Sequence, residues 1–362
     1  MAAHGRLIFW FRQDLRLSDL PALVAAQRDA EEIIPLYVLD DAAAGDWSSG
    51  AASRWWLHQS LTALGSDIAA RAGQLVLRSG DSLSALQELC AESGADAVYC
   101  SRRYEPWASA QEEQLHAELD KSGVLFKRFP GSLLHEPGRV LTQAGGPFKV
   151  FTPFWRACLR QELAVPAPRV DPEWSLTSLA CATEQLDDWK LCPRDPDWAA
   201  DWGSLWQPGE TGARERLRAF LAAAVGDYSA GRDYPGAALT SRLSAHLHHG
   251  ELSPRQVWAA CEQRKLEAPE TAAAIGKFQS ELGWREFSYH LLHFFPGIPE
   301  TPFKGGFRGF PWVSAPPALK SWQQGQTGYP IVDAGMRELW QTGCMHNRVR
   351  MVVASFLCKH LL

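Results

Sequence analysis

The stretch RLIFWFRQDLRLSD, residues 6–19, reads as a buried strand followed by a break. Leu7–Phe11 is a short, wholly apolar, β-leaning run, and Arg12 and Asp14 end it before it could act as a signal peptide. Similar runs recur at Ile34–Leu39, Gln74–Arg78, Ala97–Ser101 and Leu125–Phe129. Between them lie segments with helical spacing: Leu20–Arg28, Ala52–Arg71, Ser82–Ala91 and Ala108–Ser122, the third opened by Asp81 as N-cap. Strands alternating with helices predict an α/β domain over residues 1–130, a Rossmann-like parallel sheet with helices on its faces. No glycine-rich dinucleotide fingerprint or Walker loop accompanies it, so an ordinary NAD or ATP site is not expected.

Residues 131–210 change character. Prolines from Pro137 to Pro208 predict an irregular connector, with one helix near Phe154–Leu163. From Thr211 onward helical patterning dominates, at Ala213–Val225, Ser253–Arg264, Thr271–Phe295, Pro330–Trp340 and Asn347–Leu362. The second domain, 211–362, is therefore expected to be all-α. A length of 362 residues suits two domains, and 46% hydrophobic with 21% charged residues suits a packed core.

No apolar stretch is long enough to span a membrane, and a soluble cytoplasmic monomer is expected. None of the eight cysteines forms a CxxC pair, which favours reduced thiols. His246, His248 and His249 cluster without a Cys or carboxylate at ligand spacing, so they read as a polar helix face and no metal is expected. The net charge of −5 divides unevenly, +5 in residues 211–362 and −10 before them. A basic second half allows phosphate binding there, although ordinary surface variation reaches this size. Sixteen tryptophans against seven tyrosines suit ring stacking as well as core packing.

Three blocks carry chemistry. In TSRLSAHLHHGELSPRQVW, residues 240–258, Thr240, Ser241 and Ser244 place hydroxyls near a helix start beside Arg242. The arrangement reads either as a phosphate seat or as a plain Ser/Thr cap. In ELGWREFSYHLL, residues 281–292, Glu281, Trp284, Arg285 and Ser288 share one helix face. That face suits a pocket that stacks a ring and hydrogen-bonds its edge. The alternative is a Glu281–Arg285 ion pair with Trp284 in the core. In TGYPIVDAGMRELWQTGCMHNRVRMVVASFLCKHLL, residues 327–362, a turn leads into a helix, and Asn347 reads as the cap of another. Arg348 and Arg350 are placed to meet phosphate or carboxylate.

Together these blocks, with FWFRQDLRLSD and GGPFKVFTPFW, resemble the DNA photolyase/cryptochrome family over essentially the whole chain. TGYPIVDAGMREL is similar to a family signature nearly residue by residue. The resemblance implies an α/β antenna domain followed by a helical FAD-binding domain. It implies light-driven repair of cyclobutane pyrimidine dimers, with UV-damaged DNA as partner and reduced FAD as electron source. By matched position, Tyr228, Thr240, Ser241, Arg242, Leu243, Ser244, Phe278 and Arg285 would bind FAD. Arg232, Glu281, Trp284, Ser288, Asn347 and Arg348 would meet DNA. Within that face Trp284 would stack on a flipped dimer, Glu281 and Asn347 would hydrogen-bond its bases, and Met351 would touch it. Trp312 matches the outer member of an electron-transfer relay.

Met351, and Asn347 directly after His346, favour a class I cyclobutane-dimer enzyme over the (6-4) branch. Trp107 and Ala108 stand where folate-binding members carry Asn-Glu. Glu105 matches a deazaflavin-site acid, but Arg103 replaces another, so the antenna pigment is deazaflavin, folate or absent. Family members continue past the position of Leu362, so the helical domain is expected to be incomplete. The competing readings are a cryptochrome-type photoreceptor without repair and an inactive fragment.

Overall fold

The computed structural model describes residues 3–167 and 181–361. Five strands, β1 (His4–Phe11), β2 (Ala30–Leu39), β3 (Val76–Ser79), β4 (Ala97–Ser101) and β5 (Leu125–Phe129), form one parallel sheet in the order β3-β2-β1-β4-β5. Helices α1 (Pro21–Asp29), α2 (Ala51–Ala69), α3 (Ser82–Ser93) and α4 (Pro106–Lys121) make the crossovers. The alternation of Cβ directions splits β1 between two cores. Leu7, Phe9 and Phe11 pack with α1 and α2, while Ile8 and Trp10 pack with α3 and α4.

β2 begins four residues before the apolar run that announced it. Its polar start is recruited by pairing with β1, where His4 lies beside Ala30 and Arg6 binds Glu32 at 2.8 Å. Asp81 caps α3 as expected, its carboxylate accepting from the Ser84 N–H at 2.8 Å and closing on the Ser84 hydroxyl at 2.9 Å. Asp81→Ala should lower stability by about 1 kcal/mol in urea unfolding. An unchanged midpoint would show that the cap contributes nothing.

The connector helix, α5 (Phe151–Cys158), starts earlier than expected, because Pro153 sits in its first turn, where no backbone N–H is needed. The helical half then runs α6 (Trp202–Leu205), α7 (Glu210–Ala219), α8 (Tyr228–Gly231), α9 (Ser244–His248), α10 (Pro254–Glu267) and α11 (Ala272–Phe294). It continues with α12 (Pro316–Gln323), α13 (Pro330–Thr342) and α14 (Asn347–Phe356). Its central core joins Ala213, Phe220, Tyr228, Leu243, Val257, Ile275 and Phe278. All eight cysteines are free. Among the described residues no metal-ligand cluster occurs, and no helix is long and apolar enough to cross a membrane.

The two halves are joined through buried polar groups. Glu251, fully buried, accepts from the Trp56 indole N–H at 2.9 Å, the Gly209 N–H at 2.7 Å and the Ser60 hydroxyl, and pairs with His246 at 2.5 Å. Asp19, in the loop after β1, likewise takes Arg255 at 3.0 Å and the Ser253 hydroxyl at the start of α10.

Candidate functional site

Helix α11 organises the site. Phe278, on its inner face, meets Tyr228 edge-on at 5.6 Å, and Leu243 closes the same cluster. Burial pushes the Tyr228 phenol up to about 12, against the opposing charge of Arg232. One turn after Phe278, Glu281 binds the buried guanidinium of Arg232 rather than that of Arg285. The i,i+4 pair is displaced because α8 delivers a closer cation. Asp233 extends the chain of charges, 3.6 Å from Arg232 and 2.7 Å from Arg348 on α14. Three separate elements are thereby drawn to one face.

Trp284 lies on that face half-exposed, at 48%, and not in the core. Its ring stacks on Phe151 at 3.8 Å and 10°. Gly283 makes room for the layer beneath, since a Cβ there would sit 2.5 Å from Trp155, which itself lies nearly parallel to Phe151. Ser288 is exposed, and its hydroxyl donates to the Trp284 carbonyl at 2.9 Å. Asn347 is not the cap of α14. His346 holds that place, its ring nitrogen accepting from the Arg348 N–H at 3.2 Å and its backbone, at φ −55° and ψ 136°, lying outside the helical region. The Asn347 amide is left exposed and uncommitted. Met351 is exposed, its sulfur 3.7 Å from Arg348.

The Thr240–Ser244 stretch is also corrected. The helix that follows has only five residues and no side-chain cap, so it supplies little dipole for a phosphate. The stretch is instead an irregular strap, with Arg242 in the left-handed region at φ 52°. The hydroxyls of Thr240 and Ser241 are half-buried and, like that of Ser244, make no hydrogen bond among the described residues. Arg242 and Arg216 both approach the Trp206 ring, at 5.9 and 5.0 Å. Burial and Arg242 lower the Arg216 pKa. Arg350 lines a cavity of about 380 Å³ with Ser244, Trp206 and Cys344. None of the three guanidiniums has an ion-pair partner among the described residues. Free hydroxyls beside surplus cations are the donor set that a dinucleotide's pyrophosphate and sugar require, so these residues fit the phosphate portion of FAD.

Arg285 stands apart from this set. It donates to the Ser132 carbonyl at 2.6 Å and lies over Tyr289 at 5.0 Å, facing the α/β domain. There a cavity of about 570 Å³ opens at the carboxyl ends of β1, β2 and β4, where the strand order reverses. Trp10, Tyr37, Asp40, Trp47, Arg103 and Trp107 are among its walls. Arg103 covers the Trp107 ring at 4.7 Å and binds Glu105 at 3.0 Å. Burial raises the Glu105 pKa, yet Arg103 and hydrogen bonds bring it down to about 2. Trp312 is exposed, 4.7 Å from Phe310.

Sequence reasoning missed Phe151, Trp206 and Arg216, which lie far in the chain from their partners. It also missed Glu286, buried beside Trp284's turn, which accepts the N–H groups of Leu134 and His135 through one oxygen, while the other makes no hydrogen bond among the described residues and lies 3.6 Å from the Arg285 guanidinium. Burial raises it to about 7, against the charge of Arg285. A carboxyl raised in the folded state holds its proton there after the unfolded chain has lost it. Stability should therefore fall as pH rises from about 4.5 to about 7 and level off above. Glu286→Gln should flatten that slope in urea unfolding at several pH values. An unchanged slope would remove Glu286 as its source.

A model of the DNA photolyase domain matches residues 7–173, and a model of the FAD binding domain of DNA photolyase matches residues 278–362. The chain belongs to the DNA photolyase family. It is 47% identical to the deoxyribodipyrimidine photo-lyase of Agrobacterium fabrum over 98% of this chain and 73% of that protein. Arabidopsis thaliana cryptochrome-1 is more distant, at 34% identity over 99% of this chain and 53% of that protein. The crystal structure of a bacterial class III photolyase from Agrobacterium tumefaciens superposes with a TM-score of 0.94 at 46% identity, over 99% of this chain and 73% of that one. The fold expected from the photolyase resemblance, a parallel α/β domain followed by a helical FAD-binding domain, is the one observed. The finer class I assignment gains no support, since that solved relative is a class III photolyase.

Proposed function

We propose that this chain repairs cyclobutane pyrimidine dimers in UV-damaged DNA by light, as a cytoplasmic monomer using reduced FAD. The observation that carries the reading is the half-exposed Trp284–Phe151 stack beside the ion-pair chain Glu281–Arg232–Asp233–Arg348. The charges fix the edge of the site, and the stacked rings offer a flat floor for a base pushed out of the duplex.

Bound FAD supplies the light-driven electron that opens the cyclobutane ring. The protein's part is placement. Trp284 stacks on the dimer, Glu281 is held by Arg232 to accept from a base edge, and the free Asn347 amide donates and accepts beside it. Arg348 meets the flanking phosphate, Ser288 borders the face and Met351 fills against the lesion. Thr240, Ser241, Arg242 and Ser244, with Arg350, hold the FAD phosphates, while Tyr228, Leu243 and Phe278 back the cradle. Trp312 serves as an outer electron donor. The larger cavity at the sheet's carboxyl edge suits an antenna pigment stacked near Trp107. The 46% identity to a class III photolyase favours that class here.

The test is the visible spectrum of the protein mixed with FAD, desalted, and then denatured to release pigment. A flavin spectrum at near-equal stoichiometry supports the cradle. A colourless protein overturns it for this chain. Bound flavin without repair of dimers favours the photoreceptor reading.

A further inference from the structure

The segment between α11 and α12 carries a surface that the lesion site does not use. Within ten residues, Phe303, Phe307, Phe310 and Trp312 are exposed, at 42%, 55%, 43% and 60%. Lys304 and Arg308 stand between them, and neither has an ion-pair partner among the described residues. No acidic residue occurs from Thr301 to Val332, so nothing on the segment offsets their charge. Gly305, Gly306 and Gly309 leave open space around the backbone, and the chain turns on short local bonds such as Phe307 N–H to Lys304 carbonyl, 3.0 Å. Single exposed aromatics are ordinary, but four interleaved with unpaired cations form a patterned surface.

The surface is continuous with the lesion face. Phe303 meets Phe295 edge-on at 5.0 Å at the end of α11, and Lys149 covers Phe295 at 5.5 Å. Two residues after Lys149, Phe151 stacks on Trp284.

We infer that residues 303–312 form a second nucleic-acid contact that stacks unpaired bases of single-stranded DNA. Every base has a π-face, so exposed rings spaced by cations bind single strands through stacking and phosphate contact without reading sequence. Duplex bases are already stacked and offer these rings nothing but backbone. A lipid surface would be met by an amphipathic α-helix with an aliphatic face, whereas this segment holds only a single 3-10 turn, Gly305–Phe307, and its exposed apolar groups are rings. The inference rests on the repair reading in one respect: flipping a dimer out unpairs the bases opposite it, and so creates single-stranded character beside Trp284.

The test needs neither flavin nor light. Fluorescently labelled undamaged oligothymidylate, about 12 nucleotides long, and a blunt duplex of equal length are titrated with the protein. Phe307→Ala/Phe310→Ala should weaken binding of the single strand by about thirtyfold or more and that of the duplex by less than about twofold. Lys304→Gln/Arg308→Gln should make the salt dependence of single-strand binding shallower by about 1.4, at 0.7 for each phosphate released. Both pairs are solvent-exposed, and unchanged circular dichroism confirms folding. Failure of wild-type protein to bind the single strand, an aromatic variant as tight as wild type, or equal losses on both DNAs would overturn the inference. A failed repair assay with these binding results intact would sink only the repair reading.

Discussion

Glu251→Ala is expected to destabilise the protein by about 3–5 kcal/mol. The carboxylate is fully buried and takes hydrogen bonds from α2 through Trp56 and Ser60, from Gly209 before α7, and from His246 on α9. Removing it strands all four donors away from water, and each stranded group loses its solvation without recompense. The loss falls on the junction of the two halves, so one cooperative urea transition should shift to a lower midpoint or split in two. Glu251→Gln keeps an acceptor for the indole and the backbone N–H but drops the charge opposite His246, and should cost less. A loss below about 1 kcal/mol for the alanine variant would mean that the domains are held elsewhere.

Trp284→Ala is expected to weaken binding to dimer-containing DNA by about tenfold to a hundredfold, the worth of one stacked base. Affinity for undamaged duplex should stay the same, since the ring meets only an extruded base. The ring is half-exposed and packs on Phe151 from one side, so the variant should remain folded. Trp284→Phe keeps a smaller platform and should recover part of the loss. Equal weakening for damaged and undamaged DNA would place Trp284 outside the lesion site.

The sheet was legible because its strands are apolar runs bounded by polar turns, and the helices between them show one buried stripe. Asp81 was legible as a cap because capping is local. What escaped depends on distance in the chain. Arg232 and Glu281 are separated by forty-nine residues, so nothing in the spacing of α11 could show that Glu281 would leave Arg285 for it. Phe151 and Trp284 meet across more than a hundred positions of chain, over a layer in which Gly283 leaves room for Trp155. Composition pointed to Asn347 as the cap, and His346, not a favoured capping residue, holds the place instead. The five-residue length of α9 was likewise invisible, and it shifts the weight of phosphate binding from a helix dipole to unpaired hydroxyls and arginines. The early start of β2 follows from pairing with β1, which a one-dimensional pattern does not contain.

Family membership, the aromatic stack and the charged edge all converge on photochemical repair. The most direct measurement is chromatographic quantification of a thymine-dimer oligonucleotide mixed with the protein and reduced FAD, under blue light and in darkness. Conversion to intact thymines in light alone, lost in Glu281→Ala while flavin binding persists, is the predicted result. An unchanged dimer under light, in a sample whose spectrum shows bound reduced flavin, would contradict it.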